Sequence, residues 1–267
     1  MRLVSFNAFR TLGINGVQYL KPEQMFREVA SLRQADWLLY PEYWQVNSLA
    51  YGLKSKLFPS LASYHLGHDK IEQTRAFLTV APAHVPHTLI LPATPSALEQ
   101  ILDEMPLPLV AKRVRSSMGE GVFLIETPRQ LRDYASQHEV LYVQEYLPLE
   151  RDLRVVWVGN EVVGAYWREH GDGFHFNVAR GGQINYENIP LQALELVRDV
   201  AQALGINHAG FDVALVDGYP WLLEFNLLFG LDGLNRLGVN VGEHVLRYLQ
   251  AQGGQPRNPL RPQPVAA

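Results

Sequence analysis

Three oxygen-bearing side chains, Asp212, Glu224 and Asn226, interrupt the otherwise apolar stretch at residues 209–226, AGFDVALVDGYPWLLEFN. A buried carboxylate without a partner is strongly disfavoured, so something positive should sit beside them. The stretch reads as two strands joined at Asp217-Gly218, because Asp-Gly between apolar runs is the strongest short-range hairpin signal. Side chains alternate along a strand. Glu224 and Asn226 therefore share a face, and the partner strand can bring Asp212 beside them. Such a hard-oxygen set suits Mg2+, which takes few protein ligands and leaves room for water and phosphate oxygens. The alternative is an exposed hairpin whose polar face is incidentally acidic.

A second set is built for anions. Residues 116–121, SSMGEG, lie between the apolar runs PLVAKRV and VFLI, and Lys112 stands on the first of them. Glycines let backbone N–H groups approach phosphate oxygens, and a lysine supplies a point charge for the same oxygens. The loop fits neither the Walker A pattern nor a dinucleotide fingerprint that opens a helix. A plain turn between strands is the alternative.

The surrounding elements must position these groups. Residues 2–6 and 36–40 read as short strands, with a helix at 22–34 opened by Pro22, while 43–66 mixes aromatics with Gly and Pro. A helix starting near Asp69 runs through IEQTRAFL, and PHTLILPA reads as a strand. Thr94-Pro95 and Thr127-Pro128 each pair an N-cap with a helix-starting proline. VLYVQEYL follows as a strand, and DLRVVWVGNEVVGAYWR as a hairpin turning at Gly159-Asn160, with another strand expected at 174–178. Leu191, Leu194, Val197, Ala201 and Leu204 keep helical spacing up to Gly205, a C-cap. A helix is expected at 241–250, and a mobile Pro-rich tail from Gly253.

At 267 residues the chain can bury a real core, and a net charge of -4 gives no general reason to bind nucleic acid or an anionic membrane. The absence of cysteine excludes disulfides, thiolate nucleophiles and Cys-ligated zinc. With no signal-peptide pattern and no run of membrane-spanning length, a cytoplasmic setting is the expectation.

Lys70, Lys112, the glycine loop, Gln144-Glu145-Tyr146, Asp152-Leu153-Arg154, Asn177 with Arg180-Gly181-Gly182, Asp212 and Glu224-Phe225-Asn226 occur in one order. The series resembles the ATP-grasp superfamily, and within it the RimK-like carboxylate-amine ligases, along residues 66–245. The resemblance implies an α+β ATP-grasp fold, two subdomains gripping the nucleotide, with a short N-terminal α/β unit. The expected divisions are 1–66 for that unit, 67–140 and 141–252 for the two subdomains, and 253–267 for the tail.

By the same resemblance, Lys70 and Lys112 reach the nucleotide phosphates under a flap containing Ser117, Gly119 and Gly121. Glu145, Tyr146 and Leu147 form the adenine hinge, and Asp152 meets the ribose. Arg154, Arg168 and Arg180, with Asn177, stand near phosphate and acyl phosphate, and Asp212, Glu224 and Asn226 hold Mg2+ or Mn2+. Plainer roles remain open for four of them: a solvated helix residue for Lys70, strand-face ion pairs for Arg154 and Arg168, and core packing for Tyr146. His175 and Glu169 are considered as general bases, with a hydrogen-bonded surface role favoured for each.

The implied activity is ATP-dependent amide-bond formation through an acyl phosphate, releasing ADP and phosphate. The alternatives are a phosphotransferase or a non-catalytic ATP-binding regulatory protein. The implied substrates are a small amino acid, a peptide or a carrier protein, with homo-oligomerisation open. Leu227-Leu228-Phe229-Gly230-Leu231-Asp232-Gly233 departs from the usual small residue followed by Pro-Gly-Leu-Glu-Gly, so glutamate as the added amino acid is not implied. His175 also stands where many relatives have arginine, and the N-terminal unit is short.

Overall fold

The computed structural model describes residues 1–115, 121–169 and 183–253. Ser117, Gly119, His175, Asn177, Arg180, the strand expected at 174–178 and the tail beyond Gly253 lie outside the described residues.

In the first unit β1 (Leu3–Ser5), β2 (Val17–Tyr19), β3 (Trp37–Leu39) and β4 (Leu57–Phe58) pair in parallel, in the order β2-β1-β3-β4. Parallel neighbours need crossovers, and α1 (Val29–Arg33) and α2 (Tyr43–Asn47) lie on two of them. Because the chain leaves β1 for β2 on one side and then places β3 on the other, the carboxyl ends of β1 and β3 flank a topological switch point. The helix expected at 22–34 is interrupted. A short turn at Pro22–Gln24 precedes α1, and the Pro22 carbonyl is taken by the Met25 N–H at 3.1 Å and by Gln45 Nε2 at 3.2 Å. Both Met25 and Leu32 enter one core, and that packing overrides helix propensity.

Next come α3 (Leu61–His68) and α4 (Lys70–Val80). A second, antiparallel sheet contains β5 (Thr88–Pro92), β6 (Leu109–Lys112), β7 (Val122–Ile125) and β8 (Val140–Glu145), in the order β5-β8-β6-β7. Helices α5 (Pro95–Glu104) and α6 (Pro128–Ala135) share its core. Both are capped as expected: Thr94 and Thr127 accept from the N–H groups of Ala97 and Gln130, each at 3.3 Å. Leu141, Val143, Leu109 and Ala111 lie in that core, so the alternating Tyr142, Gln144, Val110 and Lys112 occupy the opposite face. Strand β8 pairs with β5 and β6, so a division after residue 140 cuts this sheet, which ends at Glu145.

The third sheet is antiparallel among the described residues, in the order β11-β10-β9-β12-β13. Its strands are β9 (Arg151–Val158), β10 (Glu161–Glu169), β11 (Gln183–Asn185), β12 (His208–Val216) and β13 (Tyr219–Asn226). On one face Leu153, Val155, Trp157, Phe211 and Phe225 pack with α7 (Leu191–Leu204) and with Phe77 of α4. On the other, Val156 and Val158 join Leu3, Trp37 and Phe58 of the first unit. Two further helices follow, α8 (Asp232–Arg236) and α9 (Val241–Gln252), and Val245 and Leu249 of α9 complete that second core. No described helix is long and apolar enough to cross a membrane.

Candidate active site

The hairpin β12-β13 turns where sequence places it. Asp217 (φ 51°) and Gly218 (φ 78°) are both left-handed, as a two-residue type I′ turn requires, with Val216 opposite Tyr219. Uninterrupted register from that turn would set Asp212 opposite Leu223 and Glu224 opposite Phe211, on the helix-covered face. Instead the register shifts between Asp212 and Val213, leaving Leu223 as an extra residue and setting Asp212 opposite Glu224. This bulge puts both carboxylates on one face.

The same rung continues through the sheet, with Arg154 of β9 opposite Asp212 and Tyr166 of β10 opposite Arg154. Two rungs on, and so on the same face, Asp152 stands opposite Arg168. Arg154 donates to both Asp212 oxygens, from Nε at 2.5 Å and Nη2 at 3.2 Å. Arg168 forks onto Asp152, with Nε 2.7 Å from Oδ1 and Nη2 on Oδ2, and its Nη2 also lies 3.1 Å from Asp212 Oδ1. Both arginines are thus in strand-face ion pairs, and their partners include a predicted metal ligand. Asp152 is buried with Arg168 on both oxygens, a different arrangement from an open acceptor for ribose. Burial pushes its carboxyl up, against the pull of Arg168. Burial also works against the Arg168 charge, but Asp212 and Asp152 outweigh it and raise that pKa.

Helix α4 brings Lys70 to the other end of the row. Asp69 caps the helix by accepting from the Ile71 N–H at 2.9 Å, and Lys70 Nζ lies 2.9 Å from Glu224 Oε2. Gln73 fixes the distance between the two elements. Its Nε2 donates to the Phe225 carbonyl at 3.0 Å and its Oε1 accepts from the Phe225 N–H at 2.9 Å. β13 ends the sheet, so these backbone groups have no neighbouring strand, and a side-chain amide satisfies both. Sequence reading passed over Gln73; its signal is an uncharged polar residue one helical turn after Lys70 on the buried side.

From the second sheet, buried Lys112 donates through Nζ to Gln144 Oε1 at 2.8 Å, and Gln144 Nε2 donates to Thr88 Oγ1 at 2.9 Å. Burial lowers the Lys112 pKa to about 8; Glu224 and Asp212 pull it up and Lys70 pushes it down. Lys112 therefore feels the carboxylate row of the third sheet. Burial raises the Glu224 pKa, but Lys70 and Lys112 outweigh it, so the carboxyl is held well below its usual range. Asn226 Nδ2 lies 3.3 Å from Glu224 Oε1, which leaves the Asn226 carbonyl oxygen as a further donor atom.

The glycine loop departs from the end of β6. Gly121 (φ 92°) closes its base by accepting from the Arg113 N–H at 2.7 Å, and a Cβ there would stand 2.9 Å from Arg113 carbons. Glu145 is held by His87, whose N–H donates to Oε1 at 2.6 Å, while exposed Tyr146 and half-buried Leu147 begin the irregular connection to β9. Glu169 accepts from Arg151 at 3.2 Å and Asn185 at 2.9 Å, a hydrogen-bonded setting rather than that of a free base.

Among the described residues no group of three or more His, Cys, Asp or Glu side chains could hold a metal ion. Two carboxylates and an amide oxygen on one face nevertheless fit a hard cation that keeps most of its shell for phosphate and water. Cationic nitrogens of Lys70, Arg154 and Arg168 now lie on those carboxylates, which marks the place as one where positive charge is stabilised.

Residues 68–249 match the family model described as the RimK-like ATP-grasp domain, and the chain belongs to that family. It is 33% identical over 151 residues to a probable alpha-L-glutamate ligase of Enterobacter sp. (strain 638), covering 54% of this chain and 50% of that protein. The match thus spans about half the length of the curated relative. Among solved structures it is similar to a RimK domain ATP-grasp protein from Sphaerobacter thermophilus DSM 20745, with a TM-score of 0.66 and 16% identity over 93% of this chain and 99% of that one. It is also similar to the D-alanine--D-alanine ligase of Bacillus anthracis complexed with ATP, with a TM-score of 0.70 and 13% identity over 95% and 98% of the two chains. At these identities the likeness to the two structures is one of fold.

Proposed function

We propose that the chain is an ATP-dependent carboxylate-amine ligase that activates its acid as an acyl phosphate and releases ADP and phosphate. The observation that carries this reading is the row Arg154–Asp212–Glu224–Lys70 on the third sheet, with Lys112 acting on it from the second. A carboxylate is a poor electrophile. Transfer of the γ-phosphoryl group to one of its oxygens gives a mixed anhydride that an amine can attack, with phosphate as the leaving group and one proton lost from nitrogen.

Both steps move negative charge between oxygens, so fixed cations do the work and no protein nucleophile is required. Lys70, Lys112 and the N–H groups of the 116–121 loop would bind the phosphates. Asp212, Glu224 and Asn226 would hold Mg2+, which when bound neutralises charge on the phosphate oxygens. Arg154 and Arg168 would stabilise the transferring phosphoryl group, with Asn177 and Arg180 beside it, and Asp152 would orient Arg168. Glu145, Tyr146 and Leu147 would present the adenine edge, and the loop would close over the phosphates and keep water from the anhydride. Cytoplasm is the compartment that suits this chemistry.

The test is a screen of amino acids and short peptides, alone and paired with carboxylates, scored by ADP and orthophosphate release and by mass spectrometry. Release only when both partners are present supports the reading. A phosphorylated product without orthophosphate indicates a phosphotransferase instead, and ATP binding without turnover a non-catalytic protein.

A further inference from the structure

Tyr166 of β10 extends the row on the side away from Glu224. It stands opposite Arg154, which stands opposite Asp212, which stands opposite Glu224, so the four residues form one rung across β10, β9, β12 and β13. Alternation puts Arg168, two residues on, beside it on the same face. The Tyr166 residue is 4% exposed, and its ring packs against α8: a Cβ at Gly233 would stand 2.4 Å from two of the ring carbons, so only a glycine admits the ring there.

Packing explains the ring and not the hydroxyl. A phenylalanine would fill the same space, and a buried phenol ordinarily finds a hydrogen-bond partner. Neighbouring Tyr186 does so, donating to the Gly233 carbonyl at 2.8 Å, whereas Tyr166 Oη has no such partner among the described residues. Ser55 Oγ is the one sealed side-chain polar atom without a partner among those residues, so the Tyr166 oxygen is open rather than sealed. The charged groups that act on it are Arg154, Arg168 and Asp212, all on the face of the row. Burial raises its pKa against the pull of the two arginines, so the phenol keeps its proton at physiological pH.

Place on the rung gives the chemistry. Lys70 and Glu224 mark the end assigned to metal and triphosphate, and Tyr166 lies three strands away, about 14 Å at the usual spacing. Arg154, assigned to the phosphoryl group in transfer, stands between them. The position beyond Arg154 is that of the acyl group that receives the phosphoryl.

We propose that Tyr166 is a further catalytic residue, donating a hydrogen bond to the acyl oxygen that is not phosphorylated. The proposal rests on the ligase reading. When the amine attacks, its lone pair forms the C–N bond and the carbonyl π pair moves onto that oxygen. The pair then returns, the C–O bond to phosphate breaks, phosphate leaves with the bonding electrons, and nitrogen loses one proton to water. A neutral donor fixed beside the oxygen stabilises the oxyanion between these events and keeps its own proton.

The experiment follows single turnovers of wild type, Tyr166→Phe and Tyr166→Leu with ATP and a pool of the common L-amino acids and their dipeptides. Rapid quench measures ADP, mass spectrometry measures the amide, equilibrium dialysis measures a non-hydrolysable ATP analogue, and circular dichroism checks folding. Tyr166→Phe should form ADP at the wild-type rate and amide at least about tenfold more slowly, with unchanged binding of the analogue. Acyl phosphate then accumulates, and added hydroxylamine should trap it as a hydroxamate. A packing role predicts instead that Tyr166→Phe is harmless and only Tyr166→Leu is impaired; amide formation by Tyr166→Phe at the wild-type rate overturns the assignment. Equal slowing of ADP and amide places the hydroxyl on phosphoryl transfer and overturns it too. A wild-type protein that forms no amide with the pool removes the ligase reading and the role of Tyr166 with it.

Discussion

Glu224 has both Lys70 and Lys112 acting on its charge, so an isosteric neutral side chain there changes electrostatics without changing volume. Glu224→Gln should lower turnover by more than about a hundredfold, the scale of losing one electrostatic stabiliser, while circular dichroism stays that of the native fold. ADP release at wild-type rate would remove Glu224 from the metal set. Burial brings Lys112 into an accessible range, its pKa lowered from the ordinary lysine value of 10.5 to about 8. As pH rises through 8 its ammonium is lost, so ATP affinity should fall by up to about tenfold near pH 9. Without ATP the sign reverses: between these two values the unfolded chain holds more protons than the folded one, so this group's contribution to stability rises with pH. Thermal melts at pH 7–10 should show the ATP-induced shift shrinking. Residue types were the most legible part of this site, since a carboxylate in an apolar strand demands a cation. The plainer reading of Arg154 and Arg168 as ion pairs matches their geometry, and alternation alone could not say that one of the partners is Asp212.

Local chemistry explains which elements could be read. The Thr94 and Thr127 caps, the Asp217-Gly218 turn and the Gly205 terminus depend on a few adjacent residues, and all are present. The pairing of Asp212 with Glu224 depends on an extra residue at Leu223, and no turn signal marks a bulge six residues away. The 22–34 helix fails for a related reason, because a distant side chain, Gln45, takes the Pro22 carbonyl. Gln73 belongs at this scale too. Gln73→Leu would strand the Phe225 N–H and carbonyl, and urea unfolding should show a loss of about 2 kcal/mol or more. ATP affinity should fall as well, since Lys70 loses its spacing from Glu224. A variant with unchanged stability would mean that β13 does not need the clamp.

At the scale of the molecule, the first unit shares its core with the third sheet. Leu3, Trp37 and Phe58 cover Val156, Val158 and Val245, so a chain starting at residue 67 would expose that apolar face. It should lack a cooperative thermal transition; cooperative melting with retained ATP binding would show that the unit is dispensable. Sequence marked off a short unit at residues 1–66 but not what it packs against, because helix and strand spacing is local and core sharing is not. For the same reason it divided the second sheet after residue 140: strand order is long-range information. That sheet keeps its own core, built from Ile101, Leu131, Leu141 and Val143. Calorimetry has two melting units to find here, one joining the first unit to the third sheet and one for the second sheet alone. A triphosphate held by Lys70 on the former and Lys112 on the latter would weld them thermally, so added ATP should merge two heat-absorption peaks into one.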